Sequence, residues 1–107
     1  MYTIYKIITC TGYSYVGCTK NPVKRETGHK VWLKKGFLGF TKIPSTQEYI
    51  FDIIAVASEK SDAKIIEARF INLDYISNPR RNCNSIVSRA NTFGDMEETS
   101  GRNFLGE

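Results

Sequence analysis

The chain has 107 residues, 41% of them hydrophobic and 24% charged, which is ordinary for a single small globular domain. No stretch is apolar and long enough to cross a bilayer, and the N-terminus lacks a secretory-signal pattern, so we expect a cytoplasmic protein without a membrane partner. Three cysteines and one histidine fit neither a disulfide scaffold nor a zinc ribbon. We therefore expect reduced, packed thiols at Cys10, Cys18 and Cys83.

Positive charge is concentrated in the first part of the chain. Residues 1–44 carry eight lysines and arginines against one acidic residue, whereas residues 45–107 carry seven against ten. This asymmetry indicates a face that attracts a polyanion, most often nucleic acid, although a solvated lysine-rich surface is the alternative. The lysines assigned to nucleic-acid binding are Lys20, Lys24, Lys30, Lys34, Lys35 and Lys42. Their affinity for phosphate would be salt-sensitive and largely independent of base sequence.

The first twenty residues predict a β-hairpin. β-branched and aromatic residues flank a turn at residues 10–12, which ends in glycine, the residue that best fits the left-handed position of a three-residue loop. In this register Tyr5 faces Gly17, and Ile7 faces Tyr15. Tyr5 and Tyr15 then become diagonal neighbours on one face of the sheet, beside the bare backbone of Gly17.

A helix is predicted to follow the hairpin directly. Asn21 suits the N-cap, Pro22 suits the first helical position and Gly36 is a stop signal, which together predict a helix over 22–35. Gly28 weakens a helix by about 1 kcal/mol relative to alanine. We therefore expect another group to pack closely against the backbone at this glycine.

The second half of the chain predicts one more strand and one more helix. Residues 36–48 have the composition of a loop, and the continuous apolar run at residues 49–57 fits a buried third strand. The next segment predicts a helix capped by Ser61, with Glu67 at the edge of its apolar stripe. The stripe consists of Ala63, Ile66, Phe70 and Leu73.

Several of these segments resemble the motifs of the GIY-YIG nuclease family. Residues 3–5 and 15–17 resemble the two tripeptides that name the family, and Arg25 and His29 follow on one face of the next helix. The resemblance implies an α/β (α+β) domain with a three-stranded antiparallel sheet flanked by helices, in the order β-β-α-β-α. The catalytic domain would cover residues 1–90, and the polar residues 91–107 would form an extension or the start of a linker.

The same resemblance implies a divalent-metal-dependent endonuclease acting on DNA, most similar to the catalytic domain of phage homing endonucleases. A phrase at residues 92–95, Thr-Phe-Gly-Asp, is similar to the linker of those enzymes. By this resemblance Glu67 holds one Mg²⁺ or Mn²⁺ ion per active site. Tyr5 takes the proton from the attacking water, provided that a cation stabilises the phenolate, and Tyr15 orients the water or binds the phosphate.

The remaining site residues are also assigned by resemblance. Arg25 offers a planar fork of donors that suits a phosphate in the transition state. His29 assists proton transfer or holds the phosphate. Asn84 maintains the geometry of the site through hydrogen bonds, with Asn82 as the alternative counterpart of the family's asparagine.

A second function from a different class is a nucleic-acid-binding or partner-binding module with the same fold and little catalysis. Thr3 stands where the family usually has glycine, and the loop after the first helix lacks the second histidine common in the homing enzymes. Both departures favour this alternative, whereas the intact Glu67 favours the nuclease. A monomer is favoured over a dimer. A single active centre cuts one strand at a time, so a double-strand break would need a dimer, a second encounter or a reorientation of the protein.

Overall fold

The computed structural model describes residues 1–84, which form a three-stranded antiparallel sheet, a short second hairpin and two long helices. The elements are β1 (Tyr2–Thr9), β2 (Ser14–Thr19), α1 (Pro22–Lys35), β3 (Phe37–Leu38), β4 (Thr41–Lys42), β5 (Tyr49–Ala57) and α2 (Lys60–Ser77). The predicted α+β class with a three-stranded antiparallel sheet is confirmed. The predicted boundary at residue 90 and the extension at residues 91–107 lie outside the described residues. No helix in the described part is long and apolar enough to cross a membrane.

The central strand β1 pairs with β2 on one side and with β5 on the other, and the predicted register of the first hairpin is confirmed. Because side chains alternate along a strand, Tyr5 and Ile7 point to one face of the sheet and Ile4 to the other. Leu33 of α1 is buried with the first pair, and Ile71 of α2 is buried with Ile4. The two helices therefore cover opposite faces of the sheet.

Helix α1 begins and ends where the sequence predicts. The side chain of Asn21 accepts a hydrogen bond from the backbone of Lys24 at 3.1 Å, and Gly36 closes the helix in the left-handed conformation with φ of 90°. The prediction of close packing at Gly28 is wrong, because a Cβ built there meets nothing within 4 Å. This glycine lies on the exposed side of α1, and no described contact accounts for it.

Strand β5 spans the predicted residues, but the prediction that it is buried is wrong. Among the described residues it pairs with β1 alone and forms an edge of the sheet. Ile50, Ile53 and Val56 are each more than half exposed. An apolar run indicates a strand, but it does not show how many faces of that strand are buried. Burial depends on which helices or strands pack against it, and these are distant in sequence.

Helix α2 differs from its prediction in its cap and in its buried face. Its N-cap is Glu59 rather than Ser61, and no side chain caps it. The predicted stripe is wrong at Leu73, which is 59% exposed, while Glu67 lies within the buried face rather than at its edge. The buried positions of α2 are Ala63, Glu67, Ala68, Ile71 and Asp74. The helix is therefore rotated so that two carboxylates face the interior.

The three cysteines are free thiols, as predicted. Cys18 and Cys83 are buried, and burial raises the pKa of Cys83 to about 11, which makes its thiolate rare at neutral pH. The prediction of packing is wrong for Cys10, which is exposed in the turn between β1 and β2. A turn residue lies beyond the ends of the sheet, where neither helix covers it.

Candidate functional site

Two tyrosines and a histidine form an aromatic cluster on the α1 side of the sheet. The ring centroids of Tyr5 and Tyr15 lie 6.4 Å apart, and each lies 5.6 Å from the ring of His29. Gly17 allows this arrangement, because a Cβ there would lie 2.5 Å from Cζ of Tyr5 and closer still to its oxygen. The predicted pairing of the tyrosines beside a bare glycine backbone is thus confirmed.

The Tyr5 hydroxyl lies between a guanidinium and an imidazole. Nη1 of Arg25 donates to the Tyr5 oxygen at 3.3 Å, and the same oxygen lies 2.8 Å from Nε2 of His29. An arginine can only donate, and the phenol has one proton, so we assign the Tyr5 hydroxyl as the donor to Nε2. The residues at positions 25 and 29 reach one atom because they lie one helical turn apart on the same face of α1.

His29 is held in its neutral form by this environment. Burial lowers the pKa of His29 to about 4, with a further contribution from the positive charge of Arg25. At neutral pH the ring is therefore uncharged, and its Nε2 can accept a hydrogen bond from the Tyr5 hydroxyl.

We expect the free energy of unfolding to fall as the pH is lowered from 6.5 to about 4, partly through His29. In this window the unfolded histidine takes up a proton and the folded one does not, so acid favours the unfolded chain. The full contribution would be up to about 3 kcal/mol, present above the unfolded pKa and lost as the pH approaches the folded one. Urea unfolding across this range should show a weaker pH dependence for His29→Gln, which accepts a hydrogen bond without titrating. Identical pH profiles for the two proteins would contradict this prediction.

A cavity of about 440 Å³ opens beside Arg25, at the end of β2 and between the first turns of the two helices. Glu67 lines this cavity and is only 3% exposed. The remaining lining residues are Tyr2, Cys18, Thr19, Lys20, Asn21, Lys60, Ala63 and Lys64. Arg25 therefore connects the aromatic cluster to a cavity that also contains the predicted metal ligand.

The cations of the cavity are only partly those that the sequence pattern indicated. Lys20 lines it, whereas the other five assigned lysines are exposed residues outside its lining. Sequence reasoning missed Lys60 and Lys64, which come from the acidic half of the chain. Their spacing to Glu67 was the available signal, since positions 60, 64 and 67 share one face of a helix.

The metal-ligating groups at the cavity suit a hard cation that is held by few protein ligands. Glu67 supplies a carboxylate, the ligand type that Mg²⁺ and Mn²⁺ prefer, and the volume leaves room for coordinating water and a phosphate. Within residues 1–84 no group of three or more histidine, cysteine, aspartate or glutamate side chains could hold a metal. The residues therefore fit a single ion with mostly water and phosphate ligands rather than an all-protein cage.

Asn84 reaches the site through the backbone of β2. Its side chain accepts from the amide of Val16 at 3.1 Å and donates to the carbonyl of the same residue at 2.8 Å. It is buried and holds the strand between Tyr15 and Gly17 in place. Asn82, the alternative counterpart, donates to Asp74 at 2.6 Å and accepts from the backbone of Asn84 at 3.0 Å. Both asparagines therefore lie in one network.

Asp74 is the centre of this network, and sequence reasoning did not identify it. The side chain is 4% exposed and accepts from Ser14 at 2.5 Å and from Asn82 at 2.6 Å. Its other oxygen lies 2.9 Å from Nζ of Lys6. The segment around Asn84 is thus connected to both β1 and α2. The only sequence signal was a carboxylate at the helical spacing of the buried face, seven residues after Glu67.

Comparisons of the chain with known protein families, with curated protein sequences and with solved structures give no significant match. The described residues define a small α+β domain in which a Tyr-His-Arg hydrogen-bonded group adjoins a cavity lined by cations and one buried carboxylate.

Proposed function

We propose that the chain is a GIY-YIG endonuclease domain that hydrolyses phosphodiester bonds in DNA with the help of one divalent metal ion. The observation that carries this proposal is the position of Arg25. Arg25 donates to the Tyr5 hydroxyl and also lines the cavity that contains Glu67. One residue therefore connects the candidate group for proton transfer with the candidate site for phosphate. The motif resemblance and the β-β-α-β-α order, interrupted by the short β3-β4 hairpin, support the family assignment.

The charge of the cavity favours a phosphodiester as its occupant. Four cationic side chains surround it against the single carboxylate of Glu67. Phosphate groups bind to arginine and lysine through charge-assisted hydrogen bonds, and the planar fork of Arg25 suits the oxygens of a pentavalent transition state. The three lysines would hold the flanking backbone of the same strand. The cations around the cavity are Lys20, Arg25, Lys60 and Lys64.

Proton transfer would run through Tyr5, with His29 beside it. Neutral His29 accepts a hydrogen bond from the phenol, and the guanidinium of Arg25 stabilises the phenolate that Tyr5 forms when it gives up its proton to solvent. That oxygen then takes the proton of the attacking water, which Tyr15 orients from its place in the aromatic cluster, and a second water molecule protonates the leaving oxygen. Asn84 holds the backbone of β2 next to Tyr15 through its two hydrogen bonds to Val16.

Glu67 is the residue that would hold the metal. When bound, a divalent cation supplies neutralisation of the charge that develops on the phosphoryl oxygens. Burial of Glu67 at the wall of the cavity fixes its carboxylate in one position, which reduces the entropy lost on binding an ion.

A binding module with little catalysis is the second candidate, and the burial of Tyr5 favours it. Tyr5 is 0% exposed and its hydroxyl is enclosed by Arg25 and His29. A nuclease would need water to reach this oxygen from the side of the cavity when DNA is bound. In a module of this kind the cavity would bind a backbone phosphate without cutting it.

Conversion of supercoiled plasmid to nicked circles tests the proposal. We expect nicking with Mg²⁺ or Mn²⁺ and none with EDTA, because the phosphoryl charge is then left uncompensated. The Arg25→Lys variant, purified in the same way, controls for contaminating nuclease and should lose about a hundredfold or more in rate, since lysine lacks the planar fork. DNA binding without metal-dependent nicking would favour the binding module, and equal nicking by both proteins would contradict the proposed site.

A further inference from the structure

The hairpin of β3 and β4 carries an exposed phenyl ring at its tip. Gly39 and Phe40 form the two-residue turn, and Phe40 is 94% exposed. Gly39 has φ of 63°, the left-handed value that the first position of a type II′ turn requires. Sequence reasoning treated this whole segment as a loop and did not predict the hairpin.

The hairpin is held firmly, so the backbone that carries Phe40 is fixed. Leu38 is fully buried in the cluster that contains Tyr5. Thr41 donates its hydroxyl to the carbonyl of Cys83 at 3.4 Å, and the amide of Ile43 donates to the carbonyl of Gly36 at 2.7 Å. Because the backbone is already ordered, binding through this ring costs side-chain freedom but little further backbone freedom.

The tip of the hairpin lies beside the candidate active site. A Cβ at Gly39 would lie 2.9 Å from Cε1 of Tyr15, so the turn is in contact with this ring. Tyr15 in turn is 5.6 Å from the ring of His29. Phe40 follows Gly39 directly, so the backbone that carries its exposed ring lies next to Tyr15.

Basic and aromatic residues surround the base of the hairpin. Lys34 and Lys35 end α1, and Lys42 pairs with Phe37 across the hairpin, all three lysines being exposed. Trp32 packs edge-on against Phe37 at 5.7 Å between ring centroids. Cations interleaved with aromatic rings match the phosphates and bases of nucleic acid.

We propose that Phe40 inserts between two bases of the bound DNA next to the phosphate that is cut. The inference rests on the proposed function for its ligand. Apolar side chains that enter a base step unstack it and bend the duplex, which would turn the adjoining phosphate toward Arg25 and the cavity. Pyrimidine–purine steps such as TA unstack most easily, so the position of cutting would favour them.

A short DNA duplex with 2-aminopurine at a TA step tests the insertion, with EDTA present to prevent cutting. Wild-type protein should raise the 2-aminopurine fluorescence as the base unstacks, and Phe40→Trp should do the same. Phe40→Ala should bind about tenfold more weakly without the fluorescence rise, while the dependence of affinity on salt stays the same because no phosphate contact is lost. Val23→Ala, at an apolar position on α1 that is 76% exposed, should behave as wild type.

The outcomes separate the insertion from the function on which it rests. Failure of the wild-type protein to bind the duplex would overturn both. Binding and metal-dependent nicking by wild type, with Phe40→Ala equal to it in affinity and fluorescence, would overturn the insertion alone and point to a protein partner for this ring. Retention of folding by Phe40→Ala, followed by circular dichroism, is expected because the side chain touches little of the domain.

Discussion

Glu67→Gln should reduce plasmid nicking about a thousandfold, because an amide is a poor ligand for a hard divalent cation and the phosphoryl charge is left uncompensated. Glutamine has the shape of glutamate, so the buried face of α2 stays filled and unfolding by urea should change little. DNA affinity in EDTA should stay equal or rise, since the substitution removes the one negative charge from a cavity lined by four cations. Initial rates of nicking and fluorescence anisotropy of a labelled duplex measure the two effects.

Asp62→Asn is the matched control for this prediction. Asp62 also lies in α2 and is exposed, so its substitution removes one negative charge outside the lining of the cavity. It should nick at the rate of wild type, apart from a small loss of helix stability at the N-terminal end. Nicking by Glu67→Gln at the wild-type rate would show that this carboxylate is not the metal ligand.

Asp74→Leu should lower the free energy of unfolding by about 3 to 5 kcal/mol, the loss expected when one partner of a buried charged network is removed. Leucine cannot accept a hydrogen bond, so the hydroxyl of Ser14, the amide of Asn82 and the ammonium of Lys6 lose their acceptor. Its larger side chain adds a cost of overpacking at this buried position. Urea denaturation followed by circular dichroism measures the change. A loss this large is a substantial part of the stability of a small domain.

Asp74→Asn separates the contribution of shape from that of charge. The amide oxygen still accepts one hydrogen bond, so the loss should be smaller than for leucine. Asp62→Leu serves as the exposed control and should cost less than about 1 kcal/mol. If Asp74→Leu were no less stable than Asp62→Leu, the network around Asp74 would contribute nothing to folding.

The parts of the fold that depend on neighbours in the chain could be predicted from the sequence. The turn at Gly12 sets the register of the first hairpin, and this register alone brings Tyr5, Tyr15 and Gly17 together. The caps of α1 likewise depend on residues within one turn of each end. Local geometry decided these features, so short patterns were sufficient to find them.

The composition of the site was only partly predictable. Arg25 and Glu67 were assigned by resemblance, but nothing in the pattern showed that they line one cavity with Lys60 and Lys64. The hairpin that carries Phe40 was missed, because strands of two residues are too short to show the alternation of apolar and polar side chains.

The sequence by itself determined the hairpin register, the limits of α1 and the strand at residues 49–57, since each follows from backbone preferences and side chains a few positions apart. Tertiary structure alone decided the rotation of α2, the exposure of β5 and the network of Asp74. Asp74 faces the interior because its partners Lys6 and Ser14 are there, and both lie 60 or more positions away from it along the chain. An unpaired buried carboxylate costs more free energy than an exposed leucine side chain. The helix is therefore oriented to pair Asp74, and Leu73 is left in solvent.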